Sequence, residues 1–196
     1  MKCLLQAILL TAAIALLAPT SQAQAFMADL TGASESPPNT SPGTGQALVI
    51  LDPVADTMHV QVSFSGLEGT TTASHIHSAT AAPFTGNAGV ATTVPTFPDF
   101  PLGVTSGTYD RLFDMTQASS YNPAFITAHG GTPASAEAAL FDSIMAGTAY
   151  LNIHTNVHPG GEIRGFLVPA VPEPGVLGLL GGLGVCGSLL ARRRRC

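Results

Sequence analysis

The chain has 196 residues, of which 10 % are charged, and its formal net charge is −5. All twelve acids lie between Asp29 and Glu173, where only Arg111 and Arg164 are basic, so two bases against twelve acids leave −10. This balance argues against nucleic acid or anionic lipid as a partner. No Asp-x-Asp loop groups the acids as a calcium site requires. The length fits one domain with peripheral segments.

Residues 1–25 predict a secretory signal peptide, which the Sec translocon and signal peptidase would handle. Lys2 supplies the positive start, residues 4–17 form the apolar run, and Ala23-Gln24-Ala25 is a small-x-small cleavage site. The mature chain would begin at Phe26, and cleavage after Ala23 fits nearly as well. Residues 26–174 contain no cysteine, so a disulfide cannot hold this region together.

The middle of the chain predicts short strands and turns. Strands are expected at residues 26–30 (an edge strand), 46–51, 58–64, 73–78, 87–93 and 105–116, and the second and third form a hairpin. In the fourth, His75 and His77 would project from one face and Ile76 from the other.

Helical signals follow these strands. Asn122-Pro123 begins a short apolar run to His129, and Thr132 followed by Pro133 has the form of a helix N-cap. A stripe at helical spacing then predicts core packing, and Gly147 would end the helix. The stripe consists of Leu140, Phe141, Ile144 and Met145. The whole predicts a mainly β fold, an antiparallel Greek-key-like β-sandwich with a short helical hairpin insertion.

Residues 150–168 predict two strands joined by a turn at His158-Pro159-Gly160-Gly161. Glu162 and Arg164 would share one face of the second strand and form an ion pair there. This stretch resembles the closing signature of the CHRD domain, a module first described in chordin and common in bacterial surface proteins. The matching residues are Tyr150, Asn152, His154, Thr155, Pro159, Gly160, Gly161, Glu162, Ile163, Arg164, Gly165 and Leu167.

Two earlier stretches extend the resemblance. The segment from Leu30 to the Ser65-Gly66-Leu67 end of the predicted hairpin is similar to the opening of the domain, which would therefore cover residues 26–168. Ser74-His75-Ile76-His77-Ser78 stands where the family has Ala-His-Ile-His-Gly, so the two serines depart from the pattern. The resemblance implies a place at the cell surface, but the family has no agreed biochemical activity.

The C-terminal segment has a different composition. A linker at residues 169–174 precedes an apolar stretch at 175–191, which predicts one transmembrane helix, and a basic tail at 192–196. Cations at the end of a span orient it with that end in the cytoplasm; here they are Arg192, Arg193, Arg194 and Arg195.

Together with Pro172, Glu173 and Pro174, this segment resembles the PEP-CTERM sorting tail. That resemblance implies processing by an exosortase-type enzyme in a Gram-negative bacterium that makes extracellular polysaccharide. The protein would be exported, held transiently in the inner membrane, and then placed at the cell surface or outside the cell. An ordinary C-terminal anchor would explain the helix and the arginines but not the motif.

Four histidines raise a metal hypothesis: His75, His77, His154 and His158. Imidazole is a common ligand of copper and zinc, and an i, i+2 pair on a strand can chelate one ion. The His-x-His strand is distantly similar to the copper site of Cu/Zn superoxide dismutase. The chain has no evident bridging histidine with zinc ligands after it, so dismutase activity is not expected. The alternative is that these histidines hydrogen-bond to neighbours and hold the fold.

The recognised nucleophile, metalloprotease and phosphate-loop motifs are missing from the sequence. Three functional hypotheses remain. The first is a non-enzymatic structural or adhesive module without a cofactor, with exopolysaccharide or surface proteins as partners. The second is a copper- or zinc-binding domain. The third is a polysaccharide-modifying enzyme, for which no pair of carboxylates is evident.

Overall fold

The computed structural model describes residues 22–170. Eight strands form one antiparallel sheet that curls into a half-barrel. They are β1 (Gln24–Thr31), β2 (Thr44–Asp52), β3 (Thr57–Ser65), β4 (Thr71–His77), β5 (Gly107–Asp114), β6 (Tyr150–Thr155), β7 (Ile163–Phe166) and β8 (Val168–Pro169). The α-helices are α1 (Pro123–Ala128) and α2 (Pro133–Met145), and single 3-10 turns lie at Gly32–Ser34 and Ala118–Ser120.

The order of the sheet is β4-β6-β7-β1-β2-β3-β5, with β8 paired to β1. The chain therefore crosses from β4 at one edge to β5 at the other through residues 78–106. Part of this connection bonds to the free edge of β4, where the Phe97 amide donates to the Ser74 carbonyl at 2.9 Å and the Gly103 amide to the Thr71 carbonyl at 2.9 Å. This loop closes the open side of the half-barrel.

The core fills the concave side of the sheet. Alternating side chains of β1, β2 and β3 point into it, and α2 adds Leu140 and Ile144. Thr132 caps α2 as predicted: its hydroxyl oxygen accepts from the Ser135 amide at 3.2 Å. Of the predicted helical stripe, Leu140, Phe141 and Ile144 are buried, but Met145 is 47 % exposed. The helix contributes its apolar face to the core and ends at Met145, two residues before Gly147.

The mainly β, antiparallel character is confirmed, but the sheet is single and curled where two stacked sheets were expected. The reason lies in β1, which was predicted as an edge strand. It pairs with β2 over its full length and meets β7 and β8 on its other side. A central β1 joins both halves into one sheet. Alternation shows that one face of a strand is buried, which holds equally for a sandwich and a curled sheet.

The strand predicted at residues 87–93 is wrong. This segment has no run of paired residues within the described part of the chain, and its strand-type pairing is limited to single bridges, His77 with Val90 and Thr92 with Tyr121. At the next position the Ile76 amide donates to the Thr92 hydroxyl oxygen at 2.9 Å. A side chain thus takes the place of a backbone carbonyl, and a regular ladder does not form.

The predictions for the two ends of the chain fall largely outside the described part. The signal peptide up to residue 21 and everything from residue 171 onward lie beyond it, including the sorting motif, the apolar stretch and the arginines. Between residues 22 and 170, no helix has the length and apolar character needed to cross a membrane.

A candidate three-histidine metal centre

Two adjacent strands bring three of the four candidate histidines together. In the antiparallel pair of β4 and β6, His75 lies opposite Asn152, and His154 lies opposite Ala73. Directly opposed residues share a face of the sheet, and side chains alternate along a strand. His75, His77 and His154 therefore all lie on the convex face, while Ile76 and Ile153 enter the core. The predicted orientation of the His-x-His pair is confirmed.

The three rings form a compact triangle. Their centroids are separated by 5.5 Å (His75 to His77), 5.0 Å (His75 to His154) and 5.7 Å (His77 to His154). One ring nitrogen of each lies within 4.8 Å of the corresponding nitrogens of the other two. Bonds of about 2.0 Å to one ion would place these nitrogens about 3.5 Å apart. Small rotations of the rings would reach that separation.

One nitrogen of each ring is held by a backbone carbonyl. His75 Nε2 lies 2.6 Å from the carbonyl oxygen of Pro95, His77 Nδ1 lies 3.0 Å from that of Ala88, and His154 Nδ1 lies 3.0 Å from that of Pro159. A carbonyl oxygen only accepts, so in each pair the ring nitrogen donates. The hydrogen bonds therefore fix the tautomer of all three imidazoles.

The other nitrogen of each ring has a free lone pair. His75 Nδ1, His77 Nε2 and His154 Nε2 are buried and have no hydrogen-bond partner among residues 22–170. Most buried polar side-chain atoms are hydrogen-bonded, so three unsatisfied nitrogens in one cluster require an explanation. Metal-ligating histidines show this arrangement: the nitrogen away from the ion donates to a carbonyl or carboxylate, which orients the lone pair.

The protonation state suits metal binding as well. Burial lowers the pKa of His75 and of His77 to about 4, although each hydrogen bond to a carbonyl acts in the opposite direction. Burial also lowers the pKa of His154. At neutral pH all three imidazoles are uncharged, which is the form that coordinates a metal.

A stack of side chains adjoins the cluster. Tyr150 lies parallel to His77 at a centroid distance of 4.9 Å, and the Arg164 guanidinium carbon is 4.6 Å from the Tyr150 ring centre. Arg164 is buried, and its Nε lies 3.7 Å from Glu35 Oε2. Burial raises the pKa of Glu35 to about 7, while Arg164 acts to lower it. The centre thus lies beside a buried cation.

His158, the fourth candidate, does not belong to this triangle. Its Nε2 lies 2.7 Å from Glu68 Oε2 in a partly exposed pair. A second group of possible ligands combines Glu68, His158 and Glu162. The oxygens of Glu162 are already occupied by donors, so that group lacks the free lone pairs of the triangle. The strand β6 ends at Thr155, and the turn that follows carries His158 away from His154.

The predicted pair of Glu162 with Arg164 is also wrong. Glu162 Oε1 accepts from the Ser41 hydroxyl and the Glu68 amide, both at 2.6 Å. Its Oε2 accepts from the Thr155 hydroxyl at 2.6 Å and the Gly69 amide at 3.1 Å. Burial raises the pKa of Glu162, but these four hydrogen bonds outweigh it and leave the pKa below its ordinary value. Glu162 therefore joins three loops.

Glu35, the actual ion-pair partner of Arg164, was missed from the sequence. It lies in the loop between β1 and β2, within Ser-Glu-Ser-Pro-Pro, where no periodicity indicates burial. Arg164 also donates to the Ser34 carbonyl at 2.6 Å and to Asn87 Oδ1 at 2.7 Å. The signature arginine therefore ties two loops to β7.

The signature glycines have separate structural roles. A Cβ on Gly165 would lie 2.3 Å from the backbone oxygen of Asp29, so β7 can approach β1 only without a side chain there. Gly161 has a φ of +132°, and a Cβ on it would lie 2.6 Å from Glu35 Oε1. Gly160, by contrast, has open space at its Cβ position.

Replacing Gly165 with alanine is expected to lower the free energy of unfolding by about 2 kcal/mol, because the added methyl group overlaps backbone that cannot move aside. Gly160→Ala is the matched control, with an expected change within about 0.5 kcal/mol. Urea unfolding of both variants measures the difference. Equal stability of the two would show that the contact between β7 and β1 is not as close as described.

A comparison with known protein families agrees with the resemblance to the CHRD domain that the signature residues indicate. The CHRD domain matches residues 26–167, which contain β2 to β7 and all of β1 except its first two residues, while β8 follows directly after them. No curated protein and no solved structure matches the chain. The chain therefore belongs to the CHRD domain family, and the three histidines on β4 and β6 lie within the matched region.

Proposed function

We propose that this protein is an exported, non-enzymatic binding module that holds one copper or zinc ion through His75, His77 and His154. The observation that carries the proposal is the set of three buried ring nitrogens, one from each histidine, that have no hydrogen-bond partner in the described part of the chain, residues 22–170. Each would donate a lone pair to the ion while the opposite nitrogen stays on its backbone carbonyl.

The alternative is that the three histidines serve only the fold. It explains why each ring has one hydrogen bond to a loop carbonyl. It leaves the three remaining nitrogens desolvated and without a partner among the residues that the structure describes, which costs free energy at each of them. One ion would satisfy all three at once, and this is why the metal hypothesis is favoured over a purely structural role.

A bound ion would join β4 to β6 and hold both against the loops that carry Ala88, Pro95 and Pro159. Ligands that bind only the folded state stabilise it in proportion to their affinity and concentration. Copper would in addition supply one-electron redox chemistry. We assign no reaction to the site, because its three residues provide ligands and the neighbouring side chains provide packing and charge.

Metal content tests this proposal. The full-length protein is purified in detergent with Cys3, Cys186 and Cys196 replaced by serine, because thiolates also bind copper and zinc. One equivalent of metal per chain is expected, and none after replacement of His75, His77 and His154 by alanine. The matched control replaces the other three histidines, His59, His129 and His158. Equal metal content in both triple variants, or none in the parent, would refute the proposal.

Export and sorting form the second part of the proposal. They are supported by the signal-like residues 1–25, by Pro172, Glu173 and Pro174, and by the apolar segment with its four arginines. Under this proposal the partners are signal peptidase, the Sec translocon and an exosortase-type enzyme. The destination is the cell surface or the exterior of a Gram-negative cell.

Replacing Pro172, Glu173 and Pro174 together by alanine is expected to leave the full-length protein in the membrane fraction, because the processing enzyme would no longer recognise the tail. Immunoblots of membrane and medium fractions measure the distribution. The control changes Pro169, which lies in the same predicted linker but outside the motif. Unchanged processing and release in the triple variant would contradict the sorting hypothesis.

The structural or adhesive hypothesis stays a prediction about partners. Exopolysaccharide and surface proteins remain candidates, and the acidic character of the domain limits which of them could bind. A metal-stabilised module could also be adhesive, so the two roles are compatible.

A further inference from the structure

We infer that the three-histidine centre selects copper(I) over zinc(II). This inference deepens the proposed function, on which it rests, by naming the ion. Three features of the centre carry it: the number of donors, their access to solvent and the charge around them.

The number of donors is the first feature. Among residues 22–170, the histidine, cysteine, aspartate and glutamate side chains close enough to share an ion at this place are the three histidines, without a carboxylate or thiolate. Zinc sites in proteins are built for four ligands, and where the protein supplies three, water fills the fourth position. Copper(I) has a filled d shell, carries one charge, and is stable with three nitrogen donors in a plane.

Access to solvent is the second feature. The three free nitrogens are buried, and His75 and His77 are only 6 % and 8 % exposed. The loops that supply the carbonyls of Ala88, Pro95 and Pro159 lie against the rings. His154 is partly exposed, but its free nitrogen is buried like the other two, so the position that zinc would complete with water faces buried nitrogens and not open solvent.

Charge is the third feature. Three neutral imidazoles do not neutralise a cation, and the buried charge nearest to them, Arg164 behind Tyr150, is paired with Glu35. The cost of placing an ion in a medium of low dielectric constant rises with the square of its charge, so a dication costs about four times as much as a monocation. This cost favours the singly charged ion.

The chemical softness of the ligands does not favour copper(I) over zinc(II), since imidazole binds both copper and zinc well. The selection comes from geometry and charge. The three centroid distances differ by less than 1 Å, between 5.0 and 5.7 Å, so the rings surround one point nearly evenly. This arrangement fits a trigonal ion.

The test compares two affinities in the cysteine-free full-length protein at pH 7. Copper(I) is titrated without oxygen against a colorimetric copper(I) chelator, and zinc is titrated against a fluorescent zinc chelator. Copper(I) is expected to bind with one equivalent and at least about 100-fold more tightly than zinc. Replacing His75, His77 and His154 by alanine is expected to abolish copper(I) binding.

The outcomes separate the inference from the proposed function. Zinc binding as tight as copper(I) binding, lost in the triple variant, would overturn the inference and leave the metal site standing. Absence of binding of both metals would overturn the inference and the proposed function together.

A second measurement is the reduction potential of bound copper, which is expected to lie above that of the aqueous couple because the site stabilises the reduced ion. A potential at or below the aqueous one would also overturn the inference.

Discussion

Replacing His154 with alanine is expected to weaken metal binding by more than about 100-fold, since loss of a residue that only hydrogen-bonds to a metal ligand already costs about ten- to 100-fold. His154 is the one ligand that β6 contributes; the other two come from β4. Without it, two imidazoles on one strand remain, and the buried nitrogens of His75 and His77 face the space that its ring occupied. Isothermal titration of the cysteine-free protein with copper or zinc measures the loss.

His158→Ala is the matched control for this prediction. It is the same substitution four residues further along the chain. The sequence analysis included this histidine among the four candidate metal ligands. Because His158 pairs with Glu68 and not with the triangle, its replacement is expected to change metal affinity by less than about threefold, the effect of a partly exposed ion pair. Equal losses in both variants would mean that the ion binds elsewhere.

A strand could be predicted from the sequence where apolar and polar residues alternate within one short stretch. Met58, Val60, Val62 and Phe64 alternate, and β3 covers them. β4, β6 and α2 with its Thr132 cap also lie where the sequence predicts them, and β5 does so although its periodicity is poor. The partner of each strand was harder to predict. β4 pairs with β6, more than 70 residues away, and alternation within a strand does not say which other strand lies beside it.

The metal site, too, could be predicted from the sequence only in the part that depends on local spacing. The i, i+2 spacing places His75 and His77 on one face of a strand by local geometry alone. That His154 joins them depends on the register of β4 with β6. That each ring has one free nitrogen depends on carbonyls of Pro95, Ala88 and Pro159, which lie in loops without a periodic signal. His158 was included because it is close to His154 in sequence, but the turn after Thr155 separates the two side chains.

Glu162 shows why a spacing rule failed. Two residues apart on one strand, Glu162 and Arg164 would lie side by side, but β7 begins only at Ile163. Glu162 therefore belongs to the turn, where its carboxylate meets loops from residues 41, 68 and 69. Arg164 lies on the strand and reaches Glu35 instead.

The stability of the domain is expected to depend strongly on that buried carboxylate. Replacing Glu162 with glutamine is expected to lower the free energy of unfolding by about 3 kcal/mol. Each oxygen of Glu162 accepts from one hydroxyl and one backbone amide. A hydroxyl can turn away from an introduced NH₂ group, but a backbone N–H cannot. Whichever way the glutamine amide is oriented, the amide of Glu68 or of Gly69 loses its acceptor.

Urea unfolding against Glu68→Gln, the same change at a partly exposed carboxylate, measures this effect. The control is expected to lose less than about 1 kcal/mol.

The difference in the free energy of unfolding between the parent and Glu162→Gln should also depend on pH. The pKa of Glu162 is lowered in the folded protein, so its contribution is present above the ordinary value of 4.5 and is lost as the pH falls through the folded pKa. A gap between parent and variant that stays constant down to pH 3 would show that the ionised carboxylate is not what holds the three loops together.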